Sequence, residues 1–230
     1  MNSPGTNGEK SISDILKFQS PTTLFLAGAS QSGKTTFTAK LLYNADAMFT
    51  EPPKQIFYAY DIYQPLFDEM KERIPNILFH QGLPTEEDIE MWTNSRESSV
   101  LVLDDLLSSV VSSESALRLF TINSHHKNCT VIFISQLLFP CGKYSRGISL
   151  NSHYIILFRS YRDVNQISRF GSQVLPGQLR YFKESYEKSI SKAGGYLVVD
   201  VCPKSKERRF MLRTNIFPGE KVSIFLPRQA

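Results

Sequence analysis

An α/β fold, with a mostly parallel sheet flanked by helices and an antiparallel hairpin near its C-terminal edge, is predicted by three observations. Short apolar stretches of strand length alternate with helical stretches along most of the chain. The glycine- and serine-rich segment GASQSGKT, residues 28–35, lies between one such strand and one such helix. Towards the end the pattern changes to two strand-like runs, GYLVVDV and RRFMLRT, on either side of the polar turn CPKSKE.

Taken in order, TLFLA (23–27) is a short buried-type strand, and TTFTAKLLYN then spaces Phe37, Leu41 and Leu42 along one helical face. Glu51-Pro52-Pro53 breaks the chain before a second strand, QIFYAY (55–60). DIYQPLFDEMKERI reads as a helix with a proline in its first part, and NILFH (76–80) as a third strand. PTEEDIEMW places proline and acidic residues where a helix N-terminus favours negative charge. ESSVLVLDD follows as a continuous apolar strand closed by two carboxylates. A helix over 112–126, a strand TVIFIS (130–135), a long loop over 137–152, a strand HYIILF (153–158) and a short helix RDVNQISRF complete the alternation. PGQLRYFKESYEKSISKAGG is a helix closed by glycines. Residues 1–20 read as a flexible lead-in, and 21–230 as a single domain whose terminal helix and hairpin occupy about 176–216.

The length of 230 residues suits one large domain with a substantial core. A hydrophobic content of 41% with 21% charged residues excludes wholesale disorder and leaves enzymes and binding modules open. The net charge of +4 permits contact with nucleic acid without requiring it. Cys129, Cys141 and Cys202 match neither a disulfide framework nor a C-x-x-C zinc pattern, so a reducing, intracellular compartment is expected. The longest apolar stretch, CTVIFISQLLFP, is shorter than the roughly 20 residues a bilayer span needs, so no membrane is expected among the partners.

The chemistry is carried by GASQSGKT, which satisfies G-x-x-x-x-G-K-[ST] between a strand and a helix. In that setting Gly28, Ser30, Gln31, Ser32, Gly33 and the adjoining Thr36 surround a phosphate chain, and Lys34 reaches the β- and γ-phosphates. Thr35 offers its hydroxyl to magnesium. The expected ligands are therefore ATP and Mg2+, and the fold is that of a P-loop NTPase. Val100 to Asp104 has the form of a buried strand delivering a carboxylate to that metal. Asp105, directly after it, stands where P-loop enzymes of the additional-strand class place the base that polarises water; without a phosphate loop, both carboxylates would read as a strand end or helix cap. Two strands lie between the motifs, which favours a motor-type NTPase over a simple kinase or GTPase. Gln136 closes the next strand at the sheet's carboxyl edge, either as a γ-phosphate sensor or as a turn residue.

A phosphate loop, LVLDD, and a helix leading through SHHKN into a strand closed by glutamine together resemble the FtsK/HerA superfamily of DNA-pumping ATPases. The segments LLFPCGKYSRGISLNSHYIILFRSYRDVNQISRF and RTNIFPGE resemble the genome-packaging ATPases of polinton- and adintovirus-type elements, relatives of the poxvirus packaging ATPase. The likeness extends from about Thr22 to Glu220. It implies a homo-oligomeric ring, hexamer or pentamer, that threads double-stranded DNA into a capsid, with a capsid protein as partner. The compartment implied is the host cytoplasm or nucleus, with the virion as a further location.

By motif the resemblance gives Lys34 and Thr35 to phosphate and magnesium, Asp104 to magnesium, Asp105 to the base and Gln136 to the sensor. Lys127 stands where the family usually has arginine, and Asp105 where many members have glutamate. Such rings need an arginine from the neighbouring subunit, for which Arg146, Arg159 and Arg162 are the candidates; Arg162-Asp163 reads equally as an internal pair. Lys143, Tyr144 and Arg146 suit phosphate contacts to DNA. Lys204, Lys206, Arg208 and Arg209 suit either such contacts or a sheet edge kept soluble, and His125 and His126 read as packing or interface residues. Two other classes fit a phosphate loop: a small-molecule kinase, which should carry an arginine-dense lid that is not evident here, and a nucleotide-gated scaffold.

Overall fold

The computed structural model describes residues 15–93, 97–123, 127–205 and 207–227. His125, His126 and Lys206 lie outside the described residues. Nine strands form one sheet: β1 (Thr23–Ala27), β2 (Gln55–Tyr60), β3 (Ile77–Gln81), β4 (Ser99–Asp104), β5 (Cys129–Ser135), β6 (Tyr154–Phe158), β7 (Tyr196–Asp200), β8 (Leu212–Thr214) and β9 (Ser223–Ile224). Their order is β3-β2-β4-β5-β1-β6-β7-β8-β9. The first six run parallel and the last three join antiparallel. The expected α/β architecture and C-terminal hairpin are thus present, with β9 as an additional strand beyond them.

Alternation along each central strand divides the core into two layers. Leu24, Leu26, Tyr58, Val102, Ile132 and Ile156 face helices α1 (Lys34–Tyr43), α2 (Ala45–Met48) and α3 (Leu66–Arg73). Phe25, Leu101, Leu103, Val131, Phe133 and Leu157 face the opposite layer. That layer holds α4 (Glu86–Trp92), α5 (Leu107–Ser112), α6 (Glu114–Arg118), α7 (Ser145–Leu150), α8 (Val164–Val174) and α9 (Leu179–Ser189). Strands buried on both faces read as unbroken apolar runs, which is why VLVLD and TVIFIS carry no polar alternation.

Local chemistry sets several boundaries differently from the sequence reading. Pro65 stands at the N-cap of α3, so the helix begins only after it. The helix expected over 112–126 is replaced by α5, α6 and a π-helical turn, Leu119–Asn123. Ser113 makes the break, because its extended backbone ends α5 while its hydroxyl accepts from Ala116 N at 3.2 Å and starts α6. The loop expected over 137–152 contains α7, pinned by the buried Ile148. Phe18, placed by its sequence in the lead-in, is fully buried. It bridges Phe49 and meets the Tyr154 ring edge-on at 4.8 Å, so the folded body begins before residue 20.

Among the described residues one ion pair is buried: Arg213 Nη1 donates to Asp200 Oδ2 at 2.9 Å, with side chains 1% and 7% exposed. Ser205 and the Cys202 amide also donate to Asp200, while Arg213 Nε and Nη2 have no partner. The other pairs are 31% to 89% exposed and contribute about 0–1 kcal/mol each. Removing one member of the buried pair strands the other charge. Asp200→Ala is therefore expected to lower stability in urea unfolding by about 3–5 kcal/mol. Adding Arg213→Met to that variant should recover most of the loss.

Candidate functional site

The phosphate loop leaves β1 at the carboxyl edge of the parallel strands. Gly28 N donates to Ser135 O at 3.4 Å and Ala29 N to Arg159 O at 3.3 Å, so the chain is held by the strand ends on either side. A Cβ added at Gly28 would lie 2.6 Å from Phe158 Cβ, so only glycine lets β1 pass β6 here. Gln31 and Gly33 have φ of 60° and 102°, and the turn they make places Gly33 at the N-cap of α1. Lys34 folds back over the loop and donates to Gly28 O and Ala29 O, both at 2.7 Å. Burial lowers its pKa, while the charges of Asp105 and Asp104 oppose that shift.

Asp104 ends β4 on the same face of the sheet as α1. Its Oδ2 accepts from Tyr58 Oη at 2.7 Å and from Thr35 Oγ1 at 3.3 Å. Its Oδ1 is buried without a hydrogen-bond partner. Burial pushes the carboxyl up to about 6, and the Tyr58 hydrogen bond works against that rise. Tyr58 is itself fully buried on β2, and desolvation together with the charge of Asp104 raises its hydroxyl well above the ordinary value.

A buried carboxylate oxygen left unsatisfied beside the loop threonine is the donor set a hard divalent cation takes. The residues therefore fit Mg2+ held by Thr35 and Asp104, with a phosphate chain held by Lys34 and the loop amides. Ser32 Oγ, also buried without a partner, lies within the same loop. Magnesium bound there would supply neutralisation of phosphate charge.

Asp105 diverges from its neighbour. Its φ of 56° turns the backbone, and its exposed side chain lines a cleft with Gln136, Leu107, Ser108 and Cys141. The structure thus brings Asp104 to the phosphate loop and sets Asp105 and Gln136 together in the adjacent cleft. Gln136 is exposed at the end of β5, after Ser135 has turned the chain by bonding both the N–H and the carbonyl of Leu137.

The arginine candidates separate. Arg159 is taken up internally: its guanidinium donates to the carbonyls of Ile190 and Lys192, the latter at 2.9 Å. Its expected role as an arginine offered to a neighbour is therefore not supported by its position. Arg146 is exposed on α7 and shares a cleft with Arg169 and the 73% exposed Leu150. Arg162 is exposed and makes no ion pair with Asp163 among the described residues; burial alone raises the Asp163 carboxyl. Lys143 packs over the Tyr144 ring. Lys204, Arg208 and Arg209 lie beyond β7, which runs antiparallel to β6, and so at the end of the sheet opposite the phosphate loop. Arg209 is paired there with Glu207 at 3.0 Å.

Tyr58 is the site residue that sequence reasoning missed. A tyrosine within the apolar run QIFYAY has no feature that separates it from a core aromatic. The three cysteines are free, and no helix among the described residues is long and apolar enough to cross a membrane.

Among solved structures the chain is similar to EssC (ATPases 2 and 3) from Geobacillus thermodenitrificans, at 13% identity and a TM-score of 0.47. That match covers 64% of this chain and 34% of that one, so the chain spans about a third of the length of the neighbour. No family model matches the chain, and no curated protein does.

The burial of Asp104 has a measurable consequence. Folded Asp104 keeps its proton to about pH 6, whereas the unfolded residue releases it near 3.8. Between those values the native chain binds more protons, so stability falls as pH rises from about 4 to 6 and stays lower above it. Asp104→Asn, which does not titrate, should therefore unfold at a higher temperature than the parent at pH 8 without magnesium. The advantage should be at most about 3 kcal/mol and should shrink towards pH 4 in thermal unfolding scans.

Proposed function

We propose that the chain is an ATPase of the FtsK/HerA type, hydrolysing ATP in a homo-oligomeric ring to move double-stranded DNA, in the service of packaging a viral or virus-like genome into a capsid. The observation that carries the reading is the strand order. β5 stands between the phosphate-loop strand β1 and the carboxylate strand β4, so Gln136 emerges between the loop and the paired carboxylates. Such an inserted strand is the arrangement of additional-strand ATPases. In this reading Asp105, whose charge acts on Lys34, accepts a proton from the attacking water, and Gln136, which lines the same cleft as Asp105, orients that water.

Charge distribution supports the ring. From Glu51 to Glu97, which includes β2 and β3 at one edge of the sheet, the chain has ten acidic and four basic residues. From Cys141 to Pro227, which includes β6 to β9 at the other edge, it has fifteen basic and six acidic residues. Opposite charges on opposite edges favour a head-to-tail contact between copies, and a head-to-tail contact closes into a ring when its rotation permits. Arg146 and Arg162, exposed on the basic half, are the arginines such a contact could present to a neighbour's phosphates. Lys143 and Arg146, both exposed in the segment after β5, are the residues this reading assigns to DNA phosphates.

The test is ATP turnover with and without long double-stranded DNA, alongside mass in solution. Stimulation by DNA that falls steeply with salt, in a closed oligomer, is expected; a monomer whose turnover ignores DNA under all conditions would overturn the motor reading. Asp105→Ala should retain ATP binding and lose turnover by a factor of about 100 or more.

A further inference from the structure

A second cleft continues from the phosphate loop on the side away from Asp104. Its floor is α1, through Gly33, Thr36 and Lys40, and its far wall is the segment after β8, through Asn215 and Glu220. The third wall is the turn at 191–195. Gly194 comes so close to the phosphate loop that its Cα lies 3.4 Å from where a Gly33 Cβ would be. The turn is tight: Gly195 N donates to Lys192 O at 3.1 Å, and a Cβ at Gly195 would fall 2.3 Å from Ser189 O. Arg159 fastens it by bonding the Ile190 and Lys192 carbonyls while its own carbonyl receives Ala29 N. Phosphate loop and cleft wall are thereby tied through one residue.

Asn215 contributes the side-chain amide among the residues that line this cleft. Its φ of 55° turns it out of line with β8, and it is exposed. The backbone on both sides of it is anchored on Tyr196: Thr214 Oγ1 donates to the Tyr196 carbonyl at 2.6 Å, and Ile216 N donates to the Tyr196 hydroxyl at 3.0 Å. The Asn215 amide has no hydrogen-bond partner among the described residues, so both its donor and its acceptor are available. At the outer end Lys40 is paired with Glu220 and packs over the Phe217 ring at 4.4 Å, closing the cleft with a cation held in place.

We propose that this cleft seats the nucleoside of a bound nucleoside triphosphate, with the Asn215 amide reading the donor–acceptor edge of adenine. On the N6/N7 edge of adenine an asparagine amide accepts from the exocyclic amino group and donates to N7, whereas guanine presents two acceptors on that edge and sets its O6 against the amide oxygen. Lys192 and Lys40 line the same cleft. The assignment rests on the nucleotide reading of the phosphate loop and adds to it a wall made by the C-terminal hairpin.

The test measures binding of ATP, GTP and inorganic tripolyphosphate, each with magnesium, to the parent chain, Asn215→Gly and Asn215→Asp. Glycine suits the left-handed backbone at that position, so the first variant is expected to fold. Asn215→Gly should weaken ATP about tenfold or more, leave tripolyphosphate unchanged and bring ATP and GTP to similar affinity. Asn215→Asp, which loses the donor, should also lose ATP selectively. Unchanged ATP affinity in both variants, equal losses of ATP and tripolyphosphate, or a parent that prefers GTP would each overturn the proposal. If the parent bound neither ATP nor tripolyphosphate, the phosphate-loop reading itself would fall, an outcome distinct from failure of the nucleoside wall alone.

Discussion

The burial of the Asp104 carboxylate is the constraint on which the site depends. An ionised carboxylate away from water is costly, and here desolvation outweighs the hydrogen bonds that favour the charge. Tyr58 and Thr35 occupy one oxygen and leave the other with nothing to accept from. A chain selected only for stability would replace such a group. It lies at the end of the most buried part of the sheet, facing a loop lysine that is itself destabilised as a cation, and the pair fits a ligand that is both anionic and metal-bound. The alternating strand pattern achieves this by directing Asp104 to the α1 face, while the left-handed backbone at Asp105 turns the next carboxylate into a different space.

Much of this was legible in the sequence because it depends on local rules. The phosphate loop needs glycines at fixed spacing, and the central strands announce themselves as unbroken apolar runs. The positions of β1, β2, β4, β5, β6 and β7 therefore follow from composition over five to seven residues. What was not legible depends on contacts distant in sequence. Tyr58 matters because β2 lies beside β4, and no local feature of QIFYAY reports that neighbour. Arg159 looks like any exposed arginine until the loop after α9 folds over it. Phe18 sits in a polar segment and is core only because Phe49 and Tyr154 meet it. The break at Ser113 was available in principle, since a serine that can cap is also a serine that can interrupt.

The two ends of the sheet do different things. At the carboxyl edge of the parallel strands are the phosphate loop, both aspartates, Gln136 and the cleft bordered by Asn215, with left-handed backbone at Gln31, Gly33, Asp105, Gly194 and Asn215. At the other end the buried Asp200–Arg213 pair holds the antiparallel strands together, with Tyr154 stacked beside it. The antiparallel extension is thus bound at its base by a charge pair and anchored on Tyr196 at its tip, where it forms a wall of the cleft.

Gly28 carries an implication for how such a sequence can drift. The atom a side chain at 28 would strike is the Cβ of residue 158, not the Phe158 ring. Shrinking Phe158 to alanine leaves that Cβ where it is, so no ordinary compensating change at 158 makes room for a side chain at 28. The two positions should consequently vary independently among descendants of this chain: 158 exchanging only among apolar residues that fit against Phe37 and Tyr196, 28 held at glycine by the spacing of two strands whatever its partner becomes.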